Sequence, residues 1–130
     1  MSWLLAVMGR SSPLLLVGSI LAVAQFLMGA ANRLIGPVFL IIHITLAVVL
    51  LALLILTLYS QRGVRRVMRH TLITVVILLV QGAVGLDLFM RGGVNPVGEL
   101  LHWIFGAATA GSYVGILAIH YRRQHTETTA

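Results

Sequence analysis

Two copies of one pattern, Gln25-Phe26-Leu27-Met28-Gly29 and Gln81-Gly82-Ala83-Val84-Gly85, organise this sequence. The first copy continues to Pro37-Val38 and then His43, and the second to Pro96-Val97 and then His102. In both copies Gln and Gly are four residues apart, and the histidine follows the proline by six residues. The duplication predicts two similar helical hairpins, each carrying one histidine at the same depth.

The composition is that of an integral membrane protein. Hydrophobic residues make up 59% of the 130 residues and charged residues only 9%, whereas a soluble domain carries about 25% charged residues. The chain has no cysteine, which excludes disulfides, Cys-ligated iron–sulfur clusters and the covalent attachment of a c-type haem. Any metal must therefore be held by His, Met or carboxylate side chains.

Four apolar runs are long enough to cross, or nearly cross, a hydrocarbon core of about 30 Å. They are residues 14–31, 37–59, 71–90 and 97–121. A basic loop, 60–70, joins the second run to the third, and a polar tail, 122–130, follows the fourth. The segment 1–8, which contains Trp3, is predicted to lie along the membrane interface.

The first run is predicted to be a membrane span and not a signal peptide. Ala22-Val23-Ala24 resembles a cleavage site, but the apolar run continues beyond it to Ala31. Cleavage there would also destroy the copy of the repeat that holds Gln25.

The arginines predict the orientation of the chain. The net charge of +6 and the pI near 11.5 would suggest nucleic-acid binding, but the arginines lie at the ends of the apolar runs, so no nucleic-acid partner is expected. Most of them lie at one side of the membrane, namely Arg10, Arg62, Arg65, Arg66, Arg69, Arg122 and Arg123. The positive-inside rule then predicts a multi-pass protein of the cell membrane with both termini and the 60–70 loop in the cytoplasm.

Both hairpins therefore enter the bilayer from the same side, and the repeat is parallel. The predicted fold is all-α: an integral membrane four-helix bundle built from two parallel-repeat helical hairpins. The second and fourth helices run in the same direction, and each histidine lies about 9 Å from the start of its helix at 1.5 Å per residue.

A haem iron with two histidine ligands needs imidazoles on opposite sides of a flat ring, at equal depth, from helices that can part slightly, and the second and fourth helices offer this arrangement. We therefore predict that His43 and His102 are the axial ligands of a haem b. Gly98 and Gly106 flank His102 at i−4 and i+4, where small residues would let a porphyrin approach the helix. Gln25 and Gln81 are candidate cofactor contacts, although glutamine in a stripe of small residues more often packs helices together.

Glu99 is the candidate catalytic residue, because it lies one turn before His102. It could orient a ligand or transfer a proton; equally, an acid in the first turn is favoured by the helix dipole. For Asp87 we expect an ion pair with Arg91, four residues later. His70 and His120 could hold a second haem, but their position beside arginines favours solvated interfacial histidines.

The stretch from Leu79-Val80-Gln81-Gly82-Ala83-Val84-Gly85 through Asn95-Pro96-Val97 to Leu101-His102 resembles the haem A synthase family. The resemblance covers most of residues 14–121 and is closest to a compact, archaeal-type member, since the family usually has two four-helix halves. It implies a membrane oxidoreductase that converts the methyl group of haem O to the formyl group of haem A, with haem O synthase or a terminal oxidase as partners and a homodimer in place of the second half. The family's catalytic half carries Glu-x-x-His-Arg at its second-helix histidine, where this chain has Leu40 and Ile44 around His43.

Three alternatives remain open. The first is a b-type cytochrome that transfers electrons without chemistry on the haem ring. The second is a small transporter without a cofactor, although Glu99 and Asp87 lie near the outer edge and not at the midplane where such transporters bury a carboxylate. The third is a copper or zinc site formed by His43, His102 and Glu99.

Overall fold

The computed structural model contains four helices among the residues it describes. They are α1 (Ser11–Ile35), α2 (Pro37–Ser60), α3 (Arg65–Met90) and α4 (Pro96–Thr128). The structure describes the backbone of residues 11–35, 37–93 and 95–128, and the side chains of residues 13–29, 38–93 and 95–123. These ranges contain no strand, which confirms the all-α prediction. The interfacial segment 1–8 lies outside them.

The helices have the length and the surface of membrane spans. Within the described residues, Val38–Ser60, Arg65–Met90 and Pro96–Arg123 are long and apolar enough to cross a bilayer, and α1 contributes the shorter apolar segment Pro13–Gly29. The 23 residues of the first of these cover about 34 Å at 1.5 Å per residue. Large aliphatic side chains point outward along every helix. The chain is therefore a multi-pass membrane protein whose outer surface suits lipid.

The four helices form a closed ring. α1 packs against α2 and α4, and α3 packs against α2 and α4. Since short connections reverse the chain between consecutive helices, α1 and α3 run in one direction and α2 and α4 in the other. This is the predicted parallel arrangement of two hairpins, with α2 and α4 at opposite corners. We refer to the end that holds residues 61–64 as the basic end, and to the end that holds residues 91–95 as the turn end.

The 60–70 loop is shorter than predicted, because α3 begins at Arg65 and not at Thr71. The connection is a compact turn in which the Gln61 N–H donates to Thr57 O (2.9 Å) and the Val64 N–H to Gln61 O (2.9 Å). Nothing after Gly63 interrupts a helix, and arginine is a good helix former, so the basic residues join the helix. For the same reason α4 continues through the first seven residues of the predicted tail, to Thr128.

The second hairpin turn explains why α3 ends and α4 begins where they do. Gly92 and Gly93 have φ angles of 69° and 79°, which glycine adopts without a steric penalty. The Gly93 N–H donates to Leu88 O (2.8 Å) and the Gly92 N–H to Phe89 O (3.2 Å), the two bonds of a Schellman motif. Asn95 then caps α4 by accepting a hydrogen bond from the Gly98 N–H at 3.1 Å.

The predicted ion pair at this turn is confirmed. Arg91 Nε donates to Asp87 Oδ1 at 2.8 Å, and both side chains are largely exposed. Such a pair contributes a few tenths of a kcal/mol.

Tyr113 anchors the half of the core nearest the basic end. Its side chain is completely buried, and its hydroxyl donates to Leu50 O at 2.6 Å, which ties α4 to α2. Gly18 on α1 makes room for the ring, because a Cβ there would lie 2.5 Å from Tyr113 Cε1. The hydroxyls of Ser19 and Thr71 donate to the carbonyls of their own helices four residues earlier, so these two buried hydroxyls are satisfied within their own helices.

We expect Gly18→Ala to destabilise the bundle by about 1–3 kcal/mol, the usual cost of overpacking a core. Gly82→Ala is the control, since a Cβ at Gly82 would meet nothing within 4 Å; helix propensity alone should make it neutral or stabilising by up to about 1 kcal/mol. Equilibrium unfolding in detergent micelles measures both. Equal stability of the two variants would contradict the role given to Tyr113.

Candidate functional site: a histidine pair between the two hairpins

His43 on α2 and His102 on α4 meet inside the bundle, near the turn end. Their ring centroids are 6.1 Å apart, and the ring planes are inclined by 53°. Both side chains are half-buried. The two histidines that the duplicated pattern singles out are therefore neighbours across opposite corners of the four-helix ring.

Each histidine packs against the glycine of its own copy of the pattern. A Cβ at Gly85 would lie 2.8 Å from His102 Cε1, and a Cβ at Gly29 would lie 3.2 Å from His43 Cε1. A side chain at either glycine would push the ring away from its position. The glycine of each copy therefore makes room for the histidine ring of the same copy, a role that the sequence analysis did not predict.

In the second hairpin the histidine is fixed by a hydrogen bond. His102 Nδ1 lies 3.1 Å from the backbone oxygen of Gln81. Since a carbonyl oxygen only accepts, this contact requires the proton on Nδ1 and leaves Nε2 of the neutral ring with a free lone pair. An imidazole held in this way is ready to bind a metal through Nε2.

The Gln81 side chain is fixed in turn by Thr109. The Thr109 hydroxyl lies 3.0 Å from Gln81 Oε1 and 2.8 Å from Phe105 O, so its single proton is shared between two acceptors. Thr109 lies two turns after His102 on the same face of α4. Backbone and side chain of Gln81 therefore link α3 to α4 at two points.

The first hairpin makes different bonds with the same residue types. Gln25 Nε2 donates to the backbone oxygen of His43 at 2.8 Å. Gln25 Oε1 and His43 Nδ1 are both buried and have no hydrogen-bond partner among the described residues. The position of α2 that corresponds to Thr109 is Leu50, which has no hydroxyl to offer. The two glutamines thus act in helix packing, as predicted, and also border the histidines.

A small cavity adjoins the pair. Its volume is about 20 Å³, which is room for roughly one water molecule. On its α1–α4 side the rings of Phe26 and Trp103 pack edge to face with centroids 5.4 Å apart. Eight residues line it: Gln25, Phe26, Gly29, His43, Gln81, His102, Trp103 and Gly106.

The structure separates the two glycines predicted to flank His102. Gly106 lines the cavity, and a Cβ there would lie 3.1 Å from Gln81 Nε2 and 3.2 Å from Phe26 Cδ2. Gly98 does not line it; its neighbours are Leu88 and Asn95 in the hairpin turn. The i+4 glycine therefore belongs to the site, and the i−4 glycine belongs to the turn.

Glu99 lies in the first turn of α4, half-buried, and is not among the cavity-lining residues. Within the described part of the chain, no group of three or more His, Asp or Glu side chains comes together that could hold a metal ion. The three-ligand copper or zinc site of His43, His102 and Glu99 is therefore not formed. The described residues bring two histidines together at this position, and no third candidate ligand.

The expectation of solvated histidines at the basic end is wrong for His120. Only 8% of His120 is exposed, because it continues the inward face of α4 that carries Tyr113 and Ile116; its ring contacts Tyr121 edge to face at 6.4 Å. His70 is half-buried, and its Nδ1 lies 2.9 Å from Arg66 O.

Phe26, Trp103 and Thr109 are the site residues that sequence reasoning missed. Thr109 could have been found, because it stands seven residues after His102 and thus on the same helical face. Phe26 and Trp103 could not, since an aromatic residue next to a site residue is common in any membrane helix.

No family model, no curated protein and no solved structure matches this chain. The resemblance to the haem A synthase family therefore stays a prediction.

We expect His102 in the protein without cofactor to carry its proton on Nδ1, because only that tautomer donates to Gln81 O. Imidazole ¹⁵N NMR of histidine-labelled protein measures this, and loss of one signal set in His102→Gln assigns it. His70 is the internal comparison, since its Nδ1 also faces a carbonyl but water competes for the contact. Protonation of His102 on Nε2 alone would contradict the assigned hydrogen bond.

Proposed function

We propose that this protein is a haem-binding membrane oxidoreductase in which His43 and His102 are the two axial ligands of one b-type haem. The separation of the two rings carries the proposal. Their centroids are 6.1 Å apart, so the two imidazoles would be close enough for one metal ion between them to be bound by both.

The ligand groups fit a haem in their chemistry as well as their spacing. Both ligands are imidazoles on opposite helices, as bis-histidine ligation needs. The Nδ1–H of His102 is occupied by Gln81 O, which supports an electron-rich Nε2. In the other copy, the buried Nδ1 of His43 has no partner among the described residues, so no such hydrogen bond fixes the tautomer of this ring.

The cavity itself is smaller than a porphyrin, so binding requires side chains to move. Phe26 and Trp103 close the α1–α4 side, and Trp103 is 43% exposed on the lipid-facing surface. An edge-to-face pair contributes only about 0.5–1.5 kcal/mol, which is little to separate. Gly29 and Gly106 would let a flat ligand approach α1 and α4 once the aromatic pair has parted.

A haem held in this way supplies one-electron transfer. The chain's own contribution is to present two imidazoles side by side, to hold the His102 tautomer through Gln81 and to surround the site with apolar side chains. These roles are those of a b-type cytochrome. An enzyme that oxidises a haem substrate would need the same haem-binding residues and, in addition, a group that transfers protons.

The resemblance supports the further step of haem O oxidation to haem A. Glu99, one turn from His102, is then the chain's candidate for proton transfer, with haem O synthase or a terminal oxidase as partner and a homodimer as the working unit. The arginines at the basic end support placing both termini in the cytoplasm and the histidine pair in the outer half of the cell membrane.

His43→Ala and His102→Ala should each abolish the six-coordinate low-spin spectrum, because each removes one axial ligand. Absorption spectra and pyridine haemochrome analysis of protein purified from haem-replete cells measure this. His70→Ala is the matched control, because His70 lies near the basic end of α3 and the histidine pair lies near the turn end. This variant should keep the wild-type pigment. Full pigment in both ligand variants would disprove the assignment.

Co-expression with haem O synthase should yield haem A in the extracted pigment, and Glu99→Gln should reduce the yield by about 100-fold or more, the usual contribution of a proton-transfer group. Chromatography of the extracted haems measures the yield. Bound haem b without any haem A would reject the oxidation and leave the cytochrome function in place.

A further inference from the structure

Four arginines form an exposed basic surface where α2 ends and α3 begins. We call Arg62, Arg65, Arg66 and Arg69 the arginine surface; all four are exposed. The guanidinium of Arg62 lies 3.5 Å above the centre of the Tyr59 ring, a cation–π contact that holds one charge beside the apolar part of α2. The positive-inside rule requires only that these charges lie on the cytoplasmic side. It does not require that four of them lie together at the junction of α2 and α3.

Among the side chains that the structure describes, little offsets these charges; Glu127, near the end of α4, lies outside them. Asp87 is paired with Arg91 at the turn end, and Glu99 stands in the first turn of α4, also at the turn end. The first turn of α3 contains no acidic residue. Arg65 and Arg69 are neighbours at i and i+4, where like charges repel. Anions from outside the chain would lessen this repulsion.

The same face of α3 changes from basic to apolar along the helix. Positions 65, 69, 72 and 76 follow one another at helical spacing. Leu72 and Val76 are 47% and 59% exposed, and Arg65 and Leu72 are separated by about 10 Å along the axis at 1.5 Å per residue. The face thus presents positive charge at the end of the membrane span and aliphatic surface directly beside it.

We propose that the arginine surface binds the phosphate group of an anionic diacyl phospholipid, whose acyl chains lie along Leu72 and Val76. Arginine pairs with phosphate through two parallel hydrogen bonds, and each basic residue near an anionic membrane surface adds roughly fivefold to the affinity. Free phosphate shares the headgroup chemistry but cannot use the aliphatic part of the face. This inference is independent of the haem site.

The test compares three ligands on the full-length protein in neutral detergent: phosphatidylglycerol, phosphatidylcholine and inorganic phosphate. Retained lipid is measured by native mass spectrometry, together with the shift in melting temperature. The wild type should retain phosphatidylglycerol at least tenfold more than phosphatidylcholine at low salt, and this preference should decline as salt rises. Inorganic phosphate should not displace the lipid at equal concentration.

Arg65→Gln with Arg69→Gln should lower the affinity for phosphatidylglycerol roughly thirtyfold, that is, about fivefold for each arginine. Arg91→Gln is the matched control, because it removes an arginine at the opposite end and should change lipid retention by less than twofold. Should the double glutamine variant not fold, Arg65→Lys with Arg69→Lys keeps the charge, and it should retain the lipid but with lower affinity, since lysine lacks the paired donors.

Three outcomes would overturn the proposal. The wild type could fail to distinguish the two phospholipids, inorganic phosphate could displace phosphatidylglycerol as effectively as added lipid does, or the Arg91 variant could lose as much lipid as the Arg65/Arg69 variant. Displacement of the lipid by RNA at equal phosphate concentration would likewise assign the surface to polyanions in general.

Discussion

The contact between each histidine ring and a glycine of the preceding helix is the constraint on which the site depends. His102 and His43 can turn inward because Gly85 and Gly29 have no side chain in the way. Each ring therefore lies within its own hairpin, and the two hairpins need only pack side by side to bring the rings to 6.1 Å. The same histidine–glycine contact occurs in both hairpins, and the sequence repeat therefore gives a site with one histidine from each hairpin.

This construction suits a protein in lipid, where the hydrophobic effect does not hold helices together. Close packing and hydrogen bonds do so instead. Gly18 admits Tyr113, whose hydroxyl bonds to Leu50 O, and Gln81 accepts from Thr109. The first contact stabilises the bundle towards the basic end and the second stabilises it beside the histidines. The helices can thus pack closely both near the basic end and beside the histidines, while the outer surface remains aliphatic.

The fold could be predicted from the sequence because apolar run length and arginine position decide it almost alone. The histidine pair could be predicted because the chain repeats the pattern that places it. Helix ends were predicted less well: residues 65–70 are mostly basic, but basic side chains do not end a helix in the absence of glycine or proline. The burial of His120 was missed because arginine neighbours in sequence, such as Arg122 and Arg123, say nothing about which face of α4 turns inward.

Side-chain partners inside the site depend on relations between helices that no single run of sequence contains. The repeat predicts that Gln25 and Gln81 play equal roles, yet they form different bonds. The reason is one position on the facing helix, where Thr109 stands in the second hairpin and Leu50 in the first. In the second hairpin the Thr109 hydroxyl of α4 donates to the side-chain oxygen of Gln81. The backbone oxygen of Gln81 accepts the hydrogen bond from His102 Nδ1.

With leucine opposite, the amide of Gln25 turns to the backbone of His43, and the ring nitrogen of His43 has no partner among the described residues. Glu99, the candidate catalytic residue of the second copy, is not among the residues that line the cavity. The difference that reaches the site is the one between Thr109 and Leu50, which decides whether the glutamine amide is held by a hydroxyl of the facing helix or bonds to the histidine backbone.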